Sequence, residues 1–185
     1  MREELTGILG VIFALSMSGQ IPAQTKGVDP LPEGDVYYIS ASDIAARSTG
    51  PLDGMLGVKS INKGEYSVGT ALINRPKTPE GKLGGGLEYH LDITEVYQII
   101  SGHGTFVYGG TLVNKKPEIP ANPRLGPGFS GTSIEGGTTI EVGPGDVIMI
   151  PPLTPHWWKQ IQSDHLVYTN IRIDPHHVLS MPPPA

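Results

Sequence analysis

Residues Gly86–Gly102 of this chain read GLEYHLDITEVYQIISG. Glu88 and His90 are two residues apart, so on an extended strand their side chains leave the same face. Glu95 follows five residues after His90 and precedes a run rich in β-branched and aromatic residues, Val96–Ile100, that predicts a strand. Two carboxylates and one imidazole at these spacings suit a metal site.

A second stretch, Val142–His156, reads VGPGDVIMIPPLTPH. Its Gly/Pro turn predicts that Thr138–Val142 and Asp146–Ile150 pair as two short strands. A proline-rich loop then leads to His156, which can bring a second imidazole to the same site.

The two stretches together resemble the two motifs of the cupin superfamily. In the first motif, His90 matches the second histidine, Glu95 the glutamate and Gly102 the closing glycine. The second motif is matched at Gly145, Pro151 and His156. The resemblance spans roughly Leu87–Gln160.

The chain departs from the family pattern at three positions. Glu88 stands where the first histidine usually is, Leu153 replaces an internal glycine, and Gln160 replaces the final asparagine. The exchange at Glu88 leaves two roles open, a fourth metal ligand or a general base beside the metal.

The resemblance implies an all-β fold, a cupin-type double-stranded β-helix or jelly-roll barrel, and many short strands with frequent turns favour the same fold class. It also implies one divalent metal ion per chain, held by Glu88, His90, Glu95 and His156. Such ligands favour Fe²⁺ or Mn²⁺, and Zn²⁺, Ni²⁺ and Cu²⁺ are also compatible. Tyr97 shares a strand face with Glu95, so it is a candidate catalytic residue with Glu88. Three further polar residues are candidates to line the pocket, although no motif includes them: Tyr66, Asn74 and Arg172.

Composition narrows the possible partners. The chain has 185 residues, a net charge of -5 and no basic run longer than Lys115-Lys116, which argues against nucleic acid. It contains 25 glycines and 18 prolines, too many for long helices. It has no cysteine, so disulfides and thiol catalysis are excluded.

The N-terminus predicts a secretory signal peptide, because the apolar run Ile8–Met17 is too short to span a bilayer and precedes the small-residue site Ile21-Pro-Ala23. A helix packed on the domain is the alternative. Cleavage would give a secreted or periplasmic protein with no membrane association in its mature form. The predicted organisation is a signal peptide at 1–23, an N-terminal extension with a short helix at 24–57, a cupin domain at 58–174 and a proline-rich tail at 175–185.

Three further segments have distinct predictions. Val36–Ile39 is expected to form a strand and Ser40–Arg47 a helix. Arg75–Gly86 is expected to form a flexible loop at the mouth of the site. Asn114–Gly137 lacks a clear period and is expected to be one long loop between the motifs.

The leading functional prediction is a metal-dependent oxidoreductase of dioxygenase type that acts on a small organic molecule. A redox-neutral isomerase, lyase or decarboxylase on the same scaffold is the alternative enzyme. From a different class comes a cupin that binds a sugar or another small ligand without catalysis. The resemblance also implies a homodimer, because cupins commonly dimerise.

Overall fold

The described strands of this protein divide into two antiparallel sheets and a small ribbon. The computed structural model describes positions 36 and 38 and residues 40–48, 54–62, 66–117 and 126–179. The predicted signal peptide lies outside the described residues. The described part contains one helix, α1 (Ala41–Ser48). Its strands are β1 (Gly54–Asn62), β2 (Ser67–Pro76), β3 (Glu88–His90), β4 (Thr94–Ser101), β5 (Gly104–Tyr108), β6 (Thr111–Val113), β7 (Lys116–Pro117), β8 (Gly128–Ser130), β9 (Ser133–Glu135), β10 (Thr138–Val142), β11 (Val147–Ile150), β12 (His156–Ile161) and β13 (His165–Asp174).

The strand order confirms the predicted all-β, double-stranded β-helix. One sheet has the order β1-β2-β13-β4-β11 and the other β10-β5-β12-β3-β8-β7, while β6 and β9 form the ribbon. Neighbours in each sheet are mostly not consecutive in sequence, so the chain crosses repeatedly between the two sheets. The two motif stretches therefore lie in both sheets, with β3 in one and β4 in the other. The predicted strands around the Gly/Pro turn are present as β10 and β11, but the prediction that they pair with each other is wrong. β10 pairs with β5 and β11 pairs with β4, because the turn carries the chain from one sheet to the other.

The core lies between the two sheets and is rich in aromatic rings. Tyr97 and Tyr168, from the first sheet, have ring centroids 4.7 Å apart. Phe106 and Trp158, from the second, are 4.9 Å apart, and Trp158 lies 5.3 Å from Tyr168. Tilted and edge-on pairs at these separations stabilise a core beyond simple burial. This cluster forms one wall of the barrel interior.

Alternation along β4 and β13 decides which side chains enter the interior. On β4, Glu95, Tyr97 and Ile99 are buried, while the residues between them are more exposed. On β13, alternate positions from Tyr168 to Asp174 are buried in the same way. Because a strand has a period of two, each of these sets lies on one face. Polar side chains from two neighbouring strands therefore meet inside the barrel.

The segment predicted as one long loop, Asn114–Gly137, instead contains three short strands at its described residues, 114–117 and 126–137: β7, β8 and β9. β8 pairs with β3, with Glu88 opposite Ser130 and His90 opposite Gly128. Strands of two or three residues are too short to produce a visible period, which explains why the pattern was missed. The pairing provides β3 with backbone partners on the side away from β12.

The predicted helix is confirmed and begins one residue later than expected, at Ala41. The predicted strand Val36–Ile39 is wrong at its two described residues, Val36 and Tyr38, which have no regular structure. Tyr38 is 76% exposed, so it does not pack as a half-buried strand residue would.

No helix in the described part of the chain is long and apolar enough to cross a membrane.

Candidate metal centre

Three predicted ligands converge from the two halves of the sequence. Glu88 and His90 lie on β3 and His156 begins β12, where it pairs directly with Glu88. One ligand atom from each of the three side chains lies within 4.8 Å of the other two. Both histidines are buried and Glu88 is half-buried, so Glu88 lies on the more open side of the cluster. This group could hold one metal ion.

Glu95 reaches the same cluster from β4, in the opposite sheet. Its Oε2 atom lies 3.4 Å from Nε2 of His90 and 3.2 Å from Nε2 of His156. Two ligand atoms, each about 2.1 Å from one metal, lie about 3.0 Å apart at a right angle and about 3.4 Å apart at a tetrahedral angle. Both measured distances are therefore in the range expected between two ligands of one metal ion.

Both imidazole rings direct their Nε2 atom toward Oε2 of Glu95. Nδ1 of His156 lies 3.0 Å from the carbonyl oxygen of Thr154, which can only accept, so Nδ1 carries a proton and donates it. In the neutral ring this leaves the lone pair on Nε2, the form that binds a metal. Nε2 of His90 is buried and has no hydrogen-bond partner among the described residues. Buried polar atoms rarely lack a hydrogen-bond partner, and a bound metal ion would be a partner for Nε2 of His90. The residues therefore fit a metal.

The carboxylate of Glu95 is completely buried and surrounded by donors. Oε1 accepts hydrogen bonds from Nε of Arg172 at 2.9 Å and from Nδ2 of Asn170 at 2.8 Å. Burial alone would raise its pKa, but the contacts with His156 and His90 and the charge of Arg172 outweigh burial and hold the pKa well below its usual range. Glu95 is therefore ionised at neutral pH, as a metal ligand must be.

The same carboxylate acts on His156. Burial lowers the pKa of the imidazole, yet the hydrogen bond and charge of Glu95 more than compensate, so the pKa is raised. A metal ion would compete with this proton for Nε2.

Tyr97, predicted as a pocket residue, lies at the cluster. Its hydroxyl donates to Oε2 of Glu95 at 3.0 Å and lies 3.5 Å from Nε2 of His156. Burial and the charge of Glu95 raise its pKa well above the usual value. Tyr97 is therefore a neutral phenol that orients the carboxylate.

Sequence reasoning missed Asn170 and named Arg172 only as a polar residue without a motif. Both lie on β13 and bond to Glu95. The available signal was the two-residue spacing of Asn170 and Arg172, which puts both side chains on one face of the closing strand. Tyr66 is 43% exposed and Asn74 is buried on β2.

Leu153 lies in the loop that precedes His156 and replaces the glycine of the family motif. Its φ of 64° is in the left-handed region, which costs a leucine about 1–2 kcal/mol. Its N–H donates to the carbonyl oxygen of His90 at 2.8 Å, and its side chain is 61% exposed. The strained backbone thus joins the loop before one histidine to the strand of the other.

The segment predicted as a flexible loop, Arg75–Gly86, is a loop only from residue 77, because Arg75 and Pro76 end β2. The loop, here called the mouth loop (residues 77–87), is anchored to β12. The N–H of Gly84 donates to the carbonyl oxygen of Lys159 at 2.9 Å, and Nε1 of Trp157 donates to the carbonyl oxygen of Gly84 at 3.0 Å. A cavity of about 130 Å³ lies beside the mouth loop. The described residues that line this cavity include none of the four predicted metal ligands. The cavity is therefore separate from the candidate metal centre.

No protein-family model matches this sequence, and no match was found among curated proteins. Similar solved structures include a protein from Bacillus halodurans, 15% identical over 80% of this chain and 89% of that one, with a TM-score of 0.47. An uncharacterized conserved protein with a double-stranded β-helix domain from Klebsiella pneumoniae is 11% identical over 78% and 94% of the two chains, with a TM-score of 0.42. An RmlC-like cupin family protein with a double-stranded β-helix fold from Methanocaldococcus jannaschii is 16% identical over 65% and 81%, with a TM-score of 0.38.

Proposed function

We propose that this protein is a divalent-metal-dependent enzyme that acts on a small organic molecule, with dioxygen as co-substrate. The observation that carries the proposal is the convergence of Glu88, His90 and His156 inside the barrel, with ligand atoms within 4.8 Å of one another. Glu95, ionised and fully buried, adds a second carboxylate to the two imidazoles. Two histidines with carboxylate ligands are typical of non-haem iron sites, so Fe²⁺ is the first choice and Mn²⁺ the second.

Each of the four ligand residues would contribute a defined donor group to the metal ion. The two Nε2 atoms, Oε2 of Glu95 and the carboxylate of Glu88 would hold the ion. A bound metal would supply Lewis acidity and open positions for oxygen ligands. Tyr97 would keep Oε2 oriented through its hydroxyl, and the buried rings of Phe106 and Trp158 beside Tyr97 would exclude water.

A redox-neutral isomerase, lyase or decarboxylase is the second candidate, and one observation favours it. Glu88 is the only half-buried member of the described cluster, so a substrate can approach it more readily than the other three. A carboxylate beside a metal-bound carbonyl compound can remove a proton from carbon, which is the step that isomerisation and enolisation need.

Turnover with and without dioxygen separates these candidates. Purified protein loaded with Fe²⁺ or Mn²⁺ would be assayed against a panel of enediols, β-diketones and 2-oxo acids, with oxygen consumption and product formation both recorded. The dioxygenase proposal expects oxygen uptake that disappears in His90→Ala and His156→Ala. Turnover that persists under anaerobic conditions would support the redox-neutral candidate. Ligand binding without metal or turnover would contradict both and favour a binding protein.

A further inference from the structure

The two oxygens of the Glu95 carboxylate have different surroundings. Oε1 accepts two hydrogen bonds, from Nε of Arg172 at 2.9 Å and from Nδ2 of Asn170 at 2.8 Å. Apart from its contacts with the two imidazoles, Oε2 accepts one hydrogen bond, from the hydroxyl of Tyr97 at 3.0 Å. Oε2 is also the oxygen that lies 3.4 Å and 3.2 Å from the two imidazole nitrogens.

The register of the first sheet produces this arrangement. Arg172 on β13 pairs with Glu95 on β4, and Asn170 pairs with Tyr97, so all four side chains leave the sheet on its inner face. On the other side of β13, Arg172 is opposite Gly69 and Asn170 is opposite Ala71. Such small neighbours leave interior room for the two longer polar side chains to reach the carboxylate.

Counting acceptor sites shows what each oxygen can still do. An ionised carboxylate has about four lone-pair sites, two on each oxygen. Arg172 and Asn170 use both sites of Oε1. Tyr97 uses one site of Oε2, which leaves one site directed at the histidines.

We propose that Asn170 and Arg172 are positioning residues that make Glu95 a ligand through one oxygen only. The inference rests on the metal site of the proposed function. With Oε1 occupied, Glu95 takes a single coordination position, so one more position on the ion stays open for substrate or dioxygen. Without the two donors, the carboxylate is free to rotate or to bind through both oxygens, which would fill that position.

The test uses Co²⁺ as a spectroscopic ion in the full-length protein. Wild type, Asn170→Ala and Arg172→Met would be compared with Thr169→Ala, a half-buried position on the other face of the same strand. Competition with a chelator measures Co²⁺ affinity, and the ligand-field absorption of Co²⁺ reports coordination number, because its intensity falls as ligands are added. Arg172→Met removes the cation beside a buried carboxylate and is the harsher change, so Asn170→Ala provides the test if that variant does not fold.

We expect Asn170→Ala to bind Co²⁺ about ten- to a hundred-fold more weakly, the usual effect of losing a partner behind a metal ligand, with a weaker ligand-field band. Thr169→Ala should match wild type in both measurements. Unchanged affinity and spectrum in Asn170→Ala would overturn this inference alone. So would weaker binding with an unchanged spectrum, or an equal effect of Thr169→Ala. Failure of wild type to bind Co²⁺ would overturn the metal site itself and this inference with it.

Discussion

Alanine at position 84 is predicted to separate the mouth loop from β12. A Cβ atom on Gly84 would overlap the backbone carbonyl oxygen of Trp158, and backbone cannot move aside as a flexible side chain can. Gly84 also forms two hydrogen bonds to β12, one through its N–H and one through its carbonyl oxygen. The larger residue therefore forces either the loop or the strand to move.

Both outcomes cost a similar amount. If the loop moves, the two hydrogen bonds are lost at about 1 kcal/mol each, or about 2 kcal/mol together. If the loop stays, overpacking against β12 costs about 1–3 kcal/mol. Because the protein adopts the cheaper of the two, we expect the free energy of unfolding to fall by about 1–2 kcal/mol. This lowers the melting temperature by roughly 2–8 °C in a protein of this size.

Gly85→Ala is the matched control. A Cβ atom there would lie 3.6 Å from Nη1 of Arg75, an ordinary van der Waals contact, so we expect stability equal to or slightly above wild type. Urea unfolding can be followed by tryptophan fluorescence, because both tryptophans, Trp157 and Trp158, lie on β12. Equal stability of Gly84→Ala and Gly85→Ala would refute the argument.

Three other predictions concern separate parts of the chain. The fully buried carboxylate of Asp174 accepts N–H groups from His176, Val178 and Leu179, so Asp174→Ala should lose about 2–3 kcal/mol in urea unfolding, and an unchanged midpoint would contradict this role. Glu88→Gln should lose metal affinity if Glu88 is a ligand, or keep metal and turn over roughly a hundred- to ten-thousand-fold more slowly if it is a base. Retention of both metal and activity would place Glu88 outside the site. Mass spectrometry of protein from the native host should find an N-terminus near Gln24, and an intact Met1 would argue against export.

Most of the candidate ligands could be predicted because the sequence pattern that identifies them lies within a single short stretch. Glu88 and His90 share a face at a two-residue spacing, and a strand preserves that spacing wherever it lies. Glu95 and Tyr97 share a face of β4 for the same reason, and burial along the strand alternates as expected. His156 required the second motif, since no local pattern pairs it with Glu88.

The residues that support the ligands could not be predicted in this way. Asn170 and Arg172 reach Glu95 across 75 and 77 positions of sequence, and their contact depends on the register of β13 against β4. Register follows from packing of whole sheets and is not visible in a single strand. β8 was missed because three residues cannot show a period, although its pairing supports the strand that carries Glu88 and His90.

Metal content measured together with ligand substitution tests the central claim most directly. Protein purified without an affinity tag would be incubated with Fe²⁺ or Mn²⁺ under anaerobic conditions, desalted, and analysed for metal per chain alongside His90→Ala and His156→Ala. We predict close to one ion per chain in wild type, and little in either variant together with loss of the metal-dependent rise in melting temperature, because the ion binds only the folded state. Wild-type protein that takes up neither ion, or variants that retain full occupancy, would contradict the metal site.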